Sequence, residues 1–201
     1  MPADPHLEVD APVVTFPERE ASFLRAHYKQ ADCILEYGSG GSTLIACDLN
    51  VRHVMTVESD VAWMEDVRAA VKARNTATQV DLFHGNVGPT GKWGWPDSNE
   101  AWQQFHTYPT AIWDQDFFEH PDVVLIDGRF RPACFVTTMI RITRPVTVLF
   151  DDYIGRGTYQ TVEEFAEPMQ VVGRIARFEL EPRPFPAEKL SALQRLFTIV
   201  R

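Results

Sequence analysis

Three stretches of this chain gather reactive side chains where a hydrophobic run gives way to a turn. The first is Ile34-Leu35-Glu36-Tyr37-Gly38-Ser39-Gly40-Gly41-Ser42-Thr43. An acid, a sharp glycine turn and the start of a helix follow one another there. Glycine permits the positive φ of such a turn and lets a ligand rest on bare backbone, with helix-terminal amides facing it. The second stretch is Asp122-Val123-Val124-Leu125-Ile126-Asp127-Gly128-Arg129, and the third is Val148-Leu149-Phe150-Asp151-Asp152-Tyr153. Both end in carboxylates, which can accept a proton as a general base or ligate a hard divalent cation. A further acid, Glu58, closes the run His53 to Glu58.

Such groups act together only if a scaffold brings them to one place. Short β-branched runs alternate with stretches of helical periodicity, the pattern of a parallel sheet covered by helices. Strands are expected at Cys33–Tyr37, His53–Glu58, Gln79–His84, Val123–Ile126 and Val146–Phe150. A first helix is expected from Pro17 to Lys29, with Ala21, Leu24, Tyr28 and Ala31 facing inward, and a second from near Ser42. Asp60 caps a third, whose buried stripe is Met64, Val67 and Val71. A fourth follows Pro132, with Phe135, Val136, Met139 and Ile140 at core spacing, and a fifth spans about Thr161 to Glu167. Two more strand-like runs, Val171–Leu180 and Gln194–Val200, flank the Pro-rich link Glu181–Lys189 and are expected to pair antiparallel.

The expected fold is α/β: a doubly wound, mostly parallel seven-stranded sheet with helices on both faces and a C-terminal antiparallel hairpin. Residues 1–201 are read as one domain. Between Gly85 and Pro121 the alternation fails over a length too great for a plain connector. Trp93, Trp95, Trp102, Tyr108 and Trp113 mark a Trp-rich insertion at about 86–121, which either faces a substrate or packs its aromatics onto the body. In a doubly wound sheet the carboxyl ends of the strands converge on the ligand crevice.

A dinucleotide fingerprint needs a third glycine five residues after the first, where Thr43 stands, and this counts against a nicotinamide enzyme. Glu36-x-Gly38-x-Gly40 instead resembles the first motif of the class I, Rossmann-like S-adenosylmethionine-dependent methyltransferases, and the resemblance runs in motif order from Pro17 to Phe150. It implies S-adenosylmethionine as cofactor and methyl transfer as activity. On that reading Glu36, Gly38, Ser39, Gly40, Ser42 and Thr43 form the cofactor turn. Glu58 accepts hydrogen bonds from both ribose hydroxyls, and Ser59 and Asn86 lie near adenine. The strand-end acids resemble those of the branch that includes catechol O-methyltransferases. Asp127, Asp151 and Asp152 either hold Mg²⁺, lowering the pKa of an acceptor hydroxyl, or work without metal through a carboxylate base. Asp152 stands where the catechol pattern places an amide, so the metal-free reading is preferred, with Asp127 and Asp152 as catalytic residues. Two rivals share the fold and cofactor chemistry: an aminopropyltransferase, and a protein that binds S-adenosylmethionine without turning over.

Composition narrows the partners. Nineteen Lys and Arg against 28 Asp and Glu leave a net charge of −9, with no dense basic run to follow a phosphate backbone, so nucleic acid is not expected. A small-molecule acceptor with an oxygen nucleophile is expected instead. Arg129, Arg131, Arg141 and Arg144 are read as helix-end and solvated residues rather than an anion site. His84 and His106 could reach the crevice as bases, though core or surface roles are favoured. Three unpaired cysteines, Cys33, Cys47 and Cys134, fit buried thiols in a reducing cytoplasm. Met1–Asp10 lacks the features of an export signal, and no run is long enough to span a bilayer. A cytoplasmic protein without a membrane partner is expected, its oligomeric state left open. The arm before Phe16 and the loop Gly155-Arg156-Gly157 are placed as gates to the pocket.

Overall fold

The five apolar runs become five parallel strands: β1 Cys33–Tyr37, β2 His53–Glu58, β3 Gln79–His84, β4 Val123–Ile126 and β5 Val146–Phe150. The computed structural model describes residues 12, 13 and 15–200; the stretch read for an export signal and most of the N-terminal arm fall outside them. Two further strands, β6 (Gln170–Val172) and β7 (Ile175–Leu180), complete a sheet of order β3-β2-β1-β4-β5-β7-β6, in which β7 runs antiparallel to both β5 and β6. Strands β1, β2 and β4 are buried at every position, which is why they read as unbroken hydrophobic runs rather than alternating ones. The edge strand β3 is only half-buried.

Side-chain alternation sorts the core into two layers. Leu35, Tyr37, Met55, Val57, Val124, Ile126, Val148 and Phe150 face one cluster, and Ile34, Val54, Val123, Leu125 and Leu149 face the other. Helix α1 (Glu18–Tyr28) buries Ala21, Leu24 and Tyr28 in the second cluster, beside α2 (Gly41–Asp48). Helix α3 (Val61–Ala73) starts where Asp60 accepts the Trp63 amide at 3.1 Å, as its sequence predicts. The short α4 (Thr107–Thr110) and α5 (Arg131–Arg141) pack on the first cluster. Among the described residues no helix is long and apolar enough to cross a membrane.

The expectations fail in the C-terminal third and at a few helix positions. The hairpin forms within 170–180, where Gly173-Arg174 turns the chain with Gly173 at φ 56°, and not between Val171–Leu180 and Gln194–Val200. Residues 190–196 form a helix, α7, because Leu193 and Leu196 lie three apart and seal the first core cluster. The helix placed at Thr161–Glu167 is a short turn, α6 (Gly157–Gln160), continued by a 3₁₀ segment that ends at Glu164. Ile140, expected in the core, is exposed, since α5 turns that side to solvent. The inserted segment divides its aromatics: Phe105, Tyr108 and Trp113 join the core, whereas Trp93 and Trp102 are exposed.

Candidate active site

Register puts every predicted site residue at one edge. Tyr37 pairs with Val57 and Ile126, Glu58 with His84, and Ile126 with Phe150. The residues that follow these positions, Gly38–Gly40, Ser59, Gly85-Asn86, Asp127-Gly128 and Asp151-Asp152, therefore share the carboxyl end of the sheet.

At the first turn, Gly38 takes φ 98°, which a side chain strains to adopt. Glu36, fully buried below it, accepts the Tyr28 hydroxyl at 2.7 Å and the Thr43 hydroxyl at 2.5 Å. Burial pushes its carboxyl up to about 7 against the pull of those hydrogen bonds. Thr43 also accepts the Gly40 amide, so Glu36 braces the turn through Thr43. Glu58 Oε2 accepts the Ser39 amide at 3.2 Å and the Ser39 hydroxyl at 3.1 Å, while Oε1 accepts the Ser59 and Asp60 amides at 2.7 and 3.0 Å. A carboxylate is thus held beside the glycine turn by four donors. Trp63, which the sequence reading passed over, donates its indole N–H to the Ser39 carbonyl at 2.9 Å. Its ring would lie 3.4 Å from a Cβ on Gly40.

The insertion roofs this turn. Gly94, at φ 68°, accepts the Ser59 hydroxyl at 2.8 Å, and a Cβ there would come within 2.5 Å of the same oxygen and 3.2 Å of Glu58 Oε1. Asn86 is exposed and accepts the Gly88 amide at 2.9 Å, closing its own turn. His84 approaches the Ser59 carbonyl at 3.2 Å, and His106 is exposed. Tyr108 wedges between the first and fourth turns, accepting the Arg129 amide at 3.2 Å. A Cβ on Gly128 would sit 2.1 Å from the Tyr108 hydroxyl and 2.8 Å from the Gly38 amide nitrogen. Gly128→Ala is therefore expected to cost about 1–3 kcal/mol through overpacking, lowering Tm by about 5 °C. An unchanged melting curve would mean that the two turns have room to part.

The acids at β4 and β5 meet Arg131, expected from sequence at a helix end or in solvent, together with Arg156 and Arg174. The Arg131 side chain is only 4% exposed. It donates to the carbonyls of Asp127, Gly128 and Asp151 at 2.7, 3.0 and 2.7 Å, and pairs with the Asp127 carboxylate at 3.1 Å. Arg174, from the β6–β7 turn, donates to Asp151 Oδ1 at 2.8 Å, and Arg156 to Asp152 Oδ2 at 2.8 Å. Asp151 Oδ2 is buried without a hydrogen bond, 3.7 Å from Arg131. Burial, then the charge of Asp127, push the Asp151 carboxyl up to about 8. Asp127 and Asp152 keep 29% and 23% of their side chains exposed, and Asp151 keeps 1%. Guanidinium groups already engage Asp127, Asp152 and one oxygen of Asp151, so a divalent cation would meet repulsion here.

Among the described residues, the group close enough to share an ion is Cys33, His53 and Glu119, at the opposite edge of the sheet. Its donors are engaged elsewhere. His53 pairs with Asp81 at 2.8 Å and Glu119 at 3.1 Å, and burial beside Glu119 pushes the Cys33 thiol up to about 12. The group pins the strand starts together.

A glycine turn after β1, an acid ending β2 and carboxylates ending β4 and β5, on a sheet whose last strand is antiparallel, define the class I methyltransferase architecture. A methyltransferase-like protein from Silicibacter pomeroyi is 46% identical, covering 94% of this chain and 98% of that one, with a TM-score of 0.88. The chain belongs to the class I S-adenosylmethionine-dependent methyltransferase family. An O-methyltransferase from Bacillus cereus, in complex with SAH, shares the fold at 15% identity, covering 93% and 70% of the two chains with a TM-score of 0.52. The O-methyltransferase TomG from Streptomyces achromogenes, involved in tomaymycin synthesis and in complex with SAM, does so at 17% identity, 84% and 82% coverage and a TM-score of 0.57. No protein-family model matches the chain, and no curated protein does.

Proposed function

We propose that this chain is a single-domain cytoplasmic enzyme that moves a methyl group from S-adenosylmethionine to an oxygen of a small-molecule acceptor. The observation that carries the reading is the Glu58 carboxylate, held at the glycine turn by Ser39. The donor set fits a nucleoside: a carboxylate for two hydroxyls, bare backbone at Gly38–Gly40, and an indole beside them. Glu58 would hold the ribose, with Ser59 and Asn86 toward the base and Glu36 bracing the turn through Thr43. Since Gly94 rests on Ser59, ligand entry requires the 91–95 turn to lift from Glu58. When bound, S-adenosylmethionine supplies an electrophilic methyl group on a sulfonium. The protein's own task is then to align the acceptor and take its proton.

Asp127 and Asp152 are the carboxylates of the cluster that reach solvent, and they are assigned that proton. Asp151, buried between Arg131 and Arg174, positions them. Calorimetric titration with S-adenosylhomocysteine tests the assignment. Glu58→Gln keeps the shape but loses the charge, and affinity is expected to fall about tenfold or more, the value of one charged hydrogen bond. Equal affinity in Glu58→Gln and Glu58→Ala to that of the parent protein would remove Glu58 from the site.

A further inference from the structure

The Glu58 carboxylate, assigned above to the ribose, has no acceptor capacity to spare. A carboxylate offers about four lone-pair sites. Oε2 accepts the Ser39 amide and hydroxyl at 3.2 and 3.1 Å, and Oε1 accepts the Ser59 and Asp60 amides at 2.7 and 3.0 Å, with the Ser59 hydroxyl at 3.4 Å. Two ribose hydroxyls can bind this carboxylate only if donors already on it give way. The amides on Oε1 belong to the start of α3, where Asp60 caps the helix, and they make the shorter bonds. Ser39 makes the longer ones from a turn between two glycines, and its hydroxyl can rotate about χ1. Ser39 is therefore the residue that yields.

Four residues close a ring of hydrogen bonds around this exchange. Ser39 donates to Glu58 Oε2, and Glu58 Oε1 accepts the Asp60 amide. Asp60 Oδ1 accepts the Trp63 amide at 3.1 Å, and the Trp63 indole N–H returns to the Ser39 carbonyl at 2.9 Å. Trp63 is half-buried, with its ring beside Gly40. Once Ser39 leaves Glu58, the indole is the remaining side chain, among the described residues, that bonds it. We propose that Trp63 is a positioning residue for the cofactor: when ribose hydroxyls displace Ser39 from Glu58, the indole N–H keeps the glycine turn in place through the Ser39 carbonyl. The free protein holds Ser39 from two sides and the complex from one, so the Trp63 bond is worth more in the complex. Only a bond of unequal worth in the two states alters affinity. The inference rests on the reading that Glu58 takes the ribose.

The test is calorimetric titration of S-adenosylhomocysteine into the full chain, into Trp63→Phe, and into a protein carrying 3-benzothienylalanine at position 63, which keeps the fused ring and removes the N–H. Both changes are expected to weaken binding about fivefold or more. An indole that only supports the fold would lower Tm and leave affinity as it was, and that result overturns the proposal. So does a loss confined to Trp63→Phe, which would assign the effect to ring packing. Exchange of the Trp63 indole proton in the parent protein, followed by NMR, needs no variant. It is expected to stay slow when S-adenosylhomocysteine is bound, and exchange there as fast as at the exposed Trp93 and Trp102 indoles would also overturn the proposal. Should Trp63→Phe fail to fold, the benzothienyl protein and the exchange measurement still decide it. Unchanged affinity in both Trp63 variants, with weakened binding in Glu58→Gln, sinks this inference alone. No binding by the parent protein, or equal binding by Glu58→Gln, sinks the ribose reading and this inference together.

Discussion

Replacing Arg131 with methionine is expected to destabilise the protein by about 3–5 kcal/mol, the usual cost of leaving a buried charge without its partner. For a chain of this size that lowers Tm by roughly 10 °C. The guanidinium ties together three turn carbonyls and three carboxylates, and methionine fills its volume without replacing any of those contacts. Arg131→Lys should recover little, because a point charge cannot serve three divergent acceptors in one plane. Above about pH 8, where Asp151 has lost its proton, adding Asp151→Asn to Arg131→Met should restore part of the loss by removing the stranded charge. Thermal unfolding of the single and double variants checks this, and a drop under about 2 °C in Arg131→Met would show the network to be dispensable.

Raising the pH from about 5 to about 8 is expected to destabilise the protein, lowering Tm by roughly 10 °C. Two carboxyls drive the effect. Burial raises Glu36 from an ordinary 4.5 to about 7 and Asp151 from 3.8 to about 8, so the folded state holds protons that the unfolded chain has released. Their contribution is fully present below their unfolded pKa values and is lost as pH rises through the folded ones. For Glu36 alone the shift corresponds to roughly 3 kcal/mol. Groups of opposite sign set the acid limit. Arg52 holds the Glu119 carboxyl low, and the Cys33 amide and Arg144 outweigh burial at Asp122, so their contributions vanish as pH falls below the ordinary carboxylate range. Tm should therefore peak near about pH 5, and Asp151→Asn should flatten the alkaline side. A Tm that is level or climbing over that span would contradict the assignment of buried protons to Glu36 and Asp151.

Much of this site was legible because its residues are local to strand ends. Glu36, Glu58, Asp127 and Asp152 each close or nearly close an apolar run, and a parallel sheet brings the ends of such runs to one edge without further information. The contacts that close the site were not legible in the same way. Gly94 lies 35 positions from Ser59, and Tyr108 reaches Gly128 from a segment with no regular period. Arg131 carried a partial signal, as an arginine just after a predicted turn, but a charged residue near a helix start is usually solvated and reads that way, and Arg174 fell inside the run Val171–Leu180 expected as strand.

The bounds of β1 to β5, the glycine turn and the acids that follow the strands were determined by sequence alone, because strands buried on both faces leave a near-continuous hydrophobic trace, and the half-buried β3 a mixed one, that polar or turn residues terminate. Tertiary structure decided which cation meets which acid, where the final hairpin turns, and that residues 190–196 coil instead of extending. Those outcomes depend on surfaces that come together only when distant segments pack, and a short apolar spacing satisfies helix or strand until its neighbour selects one.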